Sequence, residues 1–133
     1  MKKVQCIMLV DDNPDDNFFH ERVIRKNDAA DTVISKESGP EALEYLKAKN
    51  ENKDAHPDLI FLDINMPGMN GWEFLDEYNT LDPEFRSRVV VVMLTTSDNE
   101  DDKEKADKGY AISEFRTKPL TKEFLEEVLD RYF

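Results

Sequence analysis

Leu59-Ile60-Phe61-Leu62-Asp63-Ile64-Asn65-Met66-Pro67-Gly68-Met69-Asn70-Gly71 runs from an unbroken apolar stretch into a carboxylate and then into a loop with two turn signals. Residues 59–62 are too few for a helix and too continuous for a strand with one wet face, so they read as a strand covered on both sides. Asp63 stands at its carboxyl end. Met66-Pro67-Gly68 and Asn70-Gly71 break the chain, and a helix is expected from about Trp72 to Asn79. A doubly covered strand followed by a helix is the repeating unit of a parallel α/β sheet, so its recurrence decides the fold.

The unit recurs on both sides. Residues 6–10 form a second continuous apolar run, after which Asn13 offers a cap and Pro14 a first helical position. Phe18, Phe19, Val23 and Ile24 read as the apolar stripe of that helix, to about Lys26. Residues 32–35 make a weaker, β-branched strand, and Ser38-Gly39-Pro40 opens a helix that buries Ala42, Leu43 and Leu46 and ends near Lys49. The polar stretch 50–56 reads as a loop and the place where mobility is expected. Residues 89–94 are the strongest strand and are expected at the sheet's centre. A charged stretch, 98–108, reads as a solvated, loosely held helix with Ala106 among its few apolar contacts. Residues 114–117 read as a short edge strand stopped by Pro119, and the last helix is expected to bury Leu120, Phe124, Leu125, Val128, Leu129 and Tyr132.

Five strands alternating with five helices predict an α/β fold, a (βα)5 doubly wound parallel sheet in one domain over residues 1–133. Right-handed crossovers bring every strand's carboxyl end to one edge, where such sheets bind ligands. The order of the strands does not follow from periodicity. Asp12, Asp63, Thr95 and Lys118 share that edge whichever order holds.

Composition narrows the partners. The chain has 133 residues, 39% hydrophobic and 36% charged, with a formal charge of -12. That charge repels nucleic acid and anionic lipid, both of which are held first by Lys and Arg. No apolar run approaches the ~18 residues of a membrane span. Met1-Lys2-Lys3 leads into Asp11 too soon for a secretory signal, so a cytoplasmic protein is expected. Cys6, the single cysteine, excludes an internal disulfide and reads as a small buried hydrophobe.

The strand-end residues demand a counter-ion. Carboxylates about 5 Å apart repel by roughly 3 kcal/mol per pair at an effective dielectric near 20, so Asp11, Asp12 and Asp63 call for a cation or a proton. Mg²⁺ suits them: it takes one or two carboxylates, keeps waters and completes its shell with phosphate oxygen. Lys118 adds a second positive centre, and an aspartate can itself accept a phosphoryl group. The plainer reading of Asp11-Asp12 is an acidic loop capping the first helix. Residues 11–17 superficially suggest a calcium loop, but Asp16 stands where glycine is needed and Arg22 where a bidentate glutamate belongs. His20 reads as a helix-surface residue, His56 has no second ligand nearby, and Trp72 is expected to be partly buried beside the Asp63 loop.

Leu9-Val10-Asp11-Asp12-Asn13, the 62–71 segment from Leu62-Asp63 to Asn70-Gly71, Leu94-Thr95-Thr96-Ser97 and Thr117-Lys118-Pro119 together resemble the signature segments of two-component response-regulator receiver domains of the stand-alone, CheY-like type. The resemblance covers nearly the whole chain in order and spacing. It implies a flavodoxin-like sheet of order 2-1-3-4-5. It also implies that Asp63 accepts a phosphoryl group from a sensor histidine kinase or phosphotransfer protein. Asp12 would bind Mg²⁺ directly and Asp11 through water, with Asp63 and the Asn65 carbonyl completing the protein ligands. Lys118 would pair with the phosphoryl oxygens, Thr95 would donate its hydroxyl to them, and Lys118-Pro119 would be cis. Asn65 and Ser97 occupy the positions that tune phosphate lifetime in the family.

Two departures stand out. The interval from Thr95 to Lys118 is one residue longer than usual, leaving Thr96 as a possible substitute, although Thr95 directly follows the apolar run. The switch aromatic falls on Phe115, which has no hydroxyl and reads equally as an ordinary edge-strand core residue. The implied switch is that phosphorylation draws Thr95 inward, admits Phe115 to the vacated space and reshapes the surface of the fourth helix, fifth strand and last helix. Because the chain stops after that helix, a stand-alone receiver is expected, signalling to a downstream protein target by contact or relay. The alternatives are a Mg²⁺-dependent aspartate-nucleophile phosphatase, which Asn65 in the usual general-acid position argues against, and a scaffold that never receives phosphate.

Overall fold

The computed structural model describes residues 2–52, 56–87, 89–96 and 112–133. The expected helix at 98–108, with Ala106, and Ser97 lie outside the described residues. The chain runs β1 (Val4–Val10), α1 (Pro14–Lys26), β2 (Ala30–Lys36), α2 (Gly39–Asn52), β3 (Leu59–Asp63), α3 (Gly71–Tyr78), α4 (Pro83–Ser87), β4 (Val90–Thr95), β5 (Glu114–Thr117) and α5 (Lys122–Tyr132). All five strands are parallel in the order β2-β1-β3-β4-β5. The centre of the sheet is therefore β3, and β4 lies one strand in from the β5 edge, contrary to the expectation from its hydrophobicity. An apolar run records that both faces are covered, which holds for every interior strand and does not rank them.

Successive residues of each strand point to opposite faces, and each face has its own core. Met8, Val10, Ile60, Leu62, Val91 and Met93 meet Ala42, Leu43 and Leu46 of α2 and Trp72, Phe74 and Leu75 of α3. Ile7, Leu9, Leu59, Phe61, Val92 and Leu94 meet Ile24 of α1 and Phe124, Leu125, Val128 and Leu129 of α5. Trp72 is buried, not partly exposed. Cys6 is only half-buried, and Tyr132 is half-buried with its hydroxyl donating to the Ser113 carbonyl at 2.8 Å.

Helix ends follow local chemistry. The Asn13 side chain accepts from the Asp15 and Asp16 amides at 2.9 and 3.4 Å. Asp15 and Asp16 fill the first turn of α1 and Arg25 and Lys26 the last, matching the helix dipole. Asn70 and Glu73 form a reciprocal capping box on α3, and Thr121 caps α5. Helix α2 continues to Asn52, past the expected end near Lys49. The single turn α4 was not expected, because five residues are too few to show a helical period; Asp82 caps it through the Glu84 amide at 2.9 Å and Phe85 buries its ring.

Helix α1 differs most from the sequence reading. Its buried side chains are Asn17, His20 and Ile24, while Phe18 and Phe19 are 62% and 59% exposed, packed edge to face at 5.8 Å. The reason lies beneath the helix, which begins over the polar end of the sheet. Asn17 Nδ2 donates to the Asp11 carbonyl at 2.9 Å and approaches the Lys36 carbonyl at 3.5 Å, so this face has to supply donors before it can supply hydrocarbon. His20 is thus a buried residue rather than a surface one, 4% exposed.

Candidate functional site

Three strand ends converge. Asp11 directly follows β1, Asp63 ends β3, and Lys118 directly follows β5. Ligand oxygens of Asp11, Asp12 and Asp63 all lie within 4.8 Å of one another. Lys118 Nζ is 2.6 Å from Asp11 Oδ2, 2.9 Å from Asp16 Oδ2 and 3.4 Å from Asp63 Oδ1. The other Asp11 oxygen accepts the Asn13 amide at 3.0 Å, which holds the β1–α1 turn under the cluster.

Asp63 is unlike its neighbours. It is 4% exposed, and its Oδ1 has no hydrogen-bond partner of good geometry among the described residues, the Lys118 ammonium forming an ion pair with it at 3.4 Å. Burial, and then the charge of Asp11, push its carboxyl up to about 7, against the opposing pull of Lys118 and the Asn65 amide. For Lys118, burial works against the charge, but the hydrogen bonds to Asp11 and Asp16 and the charges of Asp11 and Asp63 outweigh it, raising the ammonium above the usual lysine range. An orphaned buried carboxylate oxygen beside two further aspartates is a donor set of hard oxygens, and it fits a divalent cation such as Mg²⁺.

Thr95 ends β4 and is 0% exposed, whereas Thr96 is exposed. The Thr95 carbonyl accepts the Lys118 amide at 2.7 Å, tying β4 to the lysine loop. The Lys118–Pro119 bond is cis, as expected. Phe115 pairs in register with Met93 and packs, partly buried, against the core shared by α2 and α3. The Asn65 side chain is exposed.

Two contributors escaped the sequence reading. Asp16 binds the lysine ammonium from the first turn of α1; its signal was an acidic residue in the turn that directly follows the Asp11-Asp12 strand end. Gly71, read only as a turn residue, lets α3 press on the strand that carries Asp63. A Cβ there would lie 2.8 Å from the Asp63 carbonyl oxygen and 2.9 Å from both Ile64 Cα and Met93 Cε. Two of these atoms are backbone and cannot swing away. Gly71→Ala is expected to destabilise the protein by about 2 kcal/mol, read as a lower urea midpoint at unchanged slope.

Sheet order, the acidic trio and the lysine that precedes a cis bond define a doubly wound α/β protein whose carboxyl edge fits a divalent cation. Residues 7–130 match the response regulator receiver domain, and the chain belongs to that family. It is similar to the response regulator Rcp1 of Synechocystis, 35% identical over 99 residues that cover 74% of this chain and 66% of the relative. The crystal structure of a two component response regulator from Cytophaga hutchinsonii superposes with a TM-score of 0.89 at 28% identity, covering 98% of each chain. The Mn(2+)-bound form of Rcp1 superposes with a TM-score of 0.72 at 31% identity, covering 95% of this chain and 90% of that one. The chain spans between half and two thirds of the length of several curated relatives. Receiver domains act in phosphorylation-dependent two-component signalling and receive their phosphoryl groups from histidine kinases, and residues 7–130 of this chain form a domain of that family. No helix among the described residues is long and apolar enough to cross a membrane.

Proposed function

We propose that Asp63 is the phosphoacceptor of a switch loaded from a phosphohistidine on a sensor kinase or phosphotransfer protein. The observation that carries this is the buried Asp63 oxygen without a hydrogen-bond partner among the described residues, 3.4 Å from the Lys118 ammonium with which it forms an ion pair. In the transfer an Asp63 carboxylate oxygen forms a bond to phosphorus while the P–N bond breaks. The imidazole leaves with that bond's electron pair and is protonated from solvent. Lys118 balances charge on the phosphoryl oxygens, and Asp11 and Asp16 hold its ammonium at the rim. Asp12 directly, Asp11 through water, Asp63 and the Asn65 carbonyl would hold Mg²⁺, which supplies positive charge against the carboxylates and the transferring group. Asn65 offers no proton to the leaving group of a stable ester, which favours a phosphohistidine donor over a phosphatase substrate.

Readout falls to Thr95 and Phe115. A phosphoryl group on Asp63 offers the enclosed Thr95 hydroxyl a strong acceptor, and the half-buried Phe115 lies on the strand beside it. Helix α5 follows β5, because Arg116 reaches Glu127 at 2.8 Å and Arg131 reaches Glu114 at 3.1 Å. We take the 133 residues as one receiver acting in the cytoplasm on a downstream protein, by contact or by relay.

Labelling with radioactive acetyl phosphate and Mg²⁺ tests the reading: the label should map to Asp63 and vanish in Asp63→Asn, and label surviving that substitution would overturn it. Nitrophenyl phosphate should not be turned over. The Phe18 and Phe19 rings offer apolar surface on the helix that begins at the site. Phe18→Ala with Phe19→Ala is expected to slow transfer from the cognate kinase about tenfold or more, while labelling by acetyl phosphate stays as it was. Parallel losses with both donors would place these rings outside the docking surface.

A further inference from the structure

His20 is a buried polar residue that the proposed chemistry leaves without a task. Its ring Nε2 accepts the Leu120 amide at 3.4 Å. Leu120 is buried and ends the Lys118-Pro119-Leu120 segment, whose middle residue has no N–H to donate. The backbone of this segment is therefore pinned on either side of Pro119, by the Lys118 amide on the Thr95 carbonyl at 2.7 Å and by the Leu120 amide on His20. Asp16 and His20 lie four residues apart on α1, so neighbouring positions of one helix face hold the lysine by its ammonium and its loop by the backbone.

We infer that His20 is a positioning residue for Lys118, fixing the loop that aims the ammonium at Asp63 and linking it to helix α1. The inference rests on the proposed part of Lys118 in phosphoryl transfer. For the ring to accept at Nε2 it has to be neutral, with its proton on Nδ1. Burial, with the nearby Lys118 charge, holds it below the ordinary histidine range, in keeping with that state. Leucine cannot accept from the Leu120 amide and a methionine thioether accepts only weakly, while a glutamine oxygen reaches about as far along the side chain as Nε2. Leucine, methionine and glutamine have similar helix propensities, so comparing them isolates the acceptor.

The test uses the full chain as wild type, His20→Gln, His20→Leu and His20→Met. At matched folded fraction, the initial rate of acetyl phosphate labelling should fall about tenfold in the Leu and Met variants and stay within about twofold of wild type in Gln. Mg²⁺ affinity, followed by Trp72 fluorescence, should be unchanged in all, which a general loosening of the fold would not leave intact. Nitrogen NMR of the wild type should show Nε2 unprotonated, and the Leu120 amide should exchange slowly in wild type and Gln but fast in Leu and Met. Leu and Met variants that label at the wild-type rate, a Gln variant as slow as Leu, or a protonated Nε2 would overturn the inference. If the wild type is not labelled at Asp63, the phosphoacceptor reading fails by itself, and the ring and amide measurements still decide whether His20 holds the loop.

Discussion

Lys118→Met is expected to lower Asp63 labelling by about a hundredfold or more and, in the same protein, to reduce metal-free stability at pH 7 by about 3 kcal/mol. The two losses have one cause. The ammonium is 10% exposed and stands between Asp11, Asp16 and Asp63 at 2.6, 2.9 and 3.4 Å. Methionine fills a similar volume but leaves those carboxylates facing one another without a counter-charge. The sign of a third effect separates this account from simple misfolding. With the competing cation gone, the cluster should bind Mg²⁺ more tightly, so the titration midpoint of Trp72 fluorescence should move to lower Mg²⁺ and stability should recover as the ion is added. A variant that labels poorly and binds Mg²⁺ more weakly would contradict the placement of Lys118 as the charge balance of the site.

Asp63→Asn should stabilise the metal-free protein, and by an amount that depends on pH. The folded carboxyl titrates at about 7, above its ordinary 3.8, so the native state holds a proton that the unfolded chain has released across this interval. Stability contributed by this group therefore falls as pH rises from about 4 to about 7 and is level above that. The full shift would correspond to a ceiling of about 4 kcal/mol, and about 2 kcal/mol is the expected size because water reaches the open side of the cluster. Urea unfolding with chelator present should show Asp63→Asn gaining on wild type between about pH 4 and about pH 7 and keeping that lead above it, with the gap closing towards pH 4. Saturating Mg²⁺ should shrink the gap at pH 8 by stabilising wild type more than the variant. A gap independent of pH would mean that Asp63 is not held protonated in the fold.

The strands and the chemistry at their ends were legible because of how parallel sheets are built. A strand buried on both faces leaves an unbroken apolar run, as in residues 59–62 and 89–94, and a polar residue that ends such a run is at the ligand edge whatever the strand order. Asp63 and Thr95 could be placed for that reason, and Lys118 by the proline that stops the short edge strand before it. The facing of α1 could not, since Phe18 and Phe19 outweigh Asn17 and His20 in any hydrophobic pattern, yet the helix crosses the polar end of β1 and β2 and turns its polar side chains inward. Nor could the grip of Asp16 on Lys118, formed between residues 102 positions apart. Gly71 looked like any turn glycine until the approach of α3 to the Asp63 carbonyl showed why no side chain fits.

By itself the amino-acid sequence determined the class of fold, the edge that carries the chemistry and the identity of the acidic, hydroxyl and cationic groups there, because strand burial and right-handed crossovers are local rules with one outcome. Only the tertiary structure decided that Asp63 carries a buried oxygen without a hydrogen bond among the described residues, and that α1 holds the lysine loop through Asp16 and His20. Those depend on distances between segments far apart in the chain, and desolvation and charge pairing acquire a magnitude only once those distances are set.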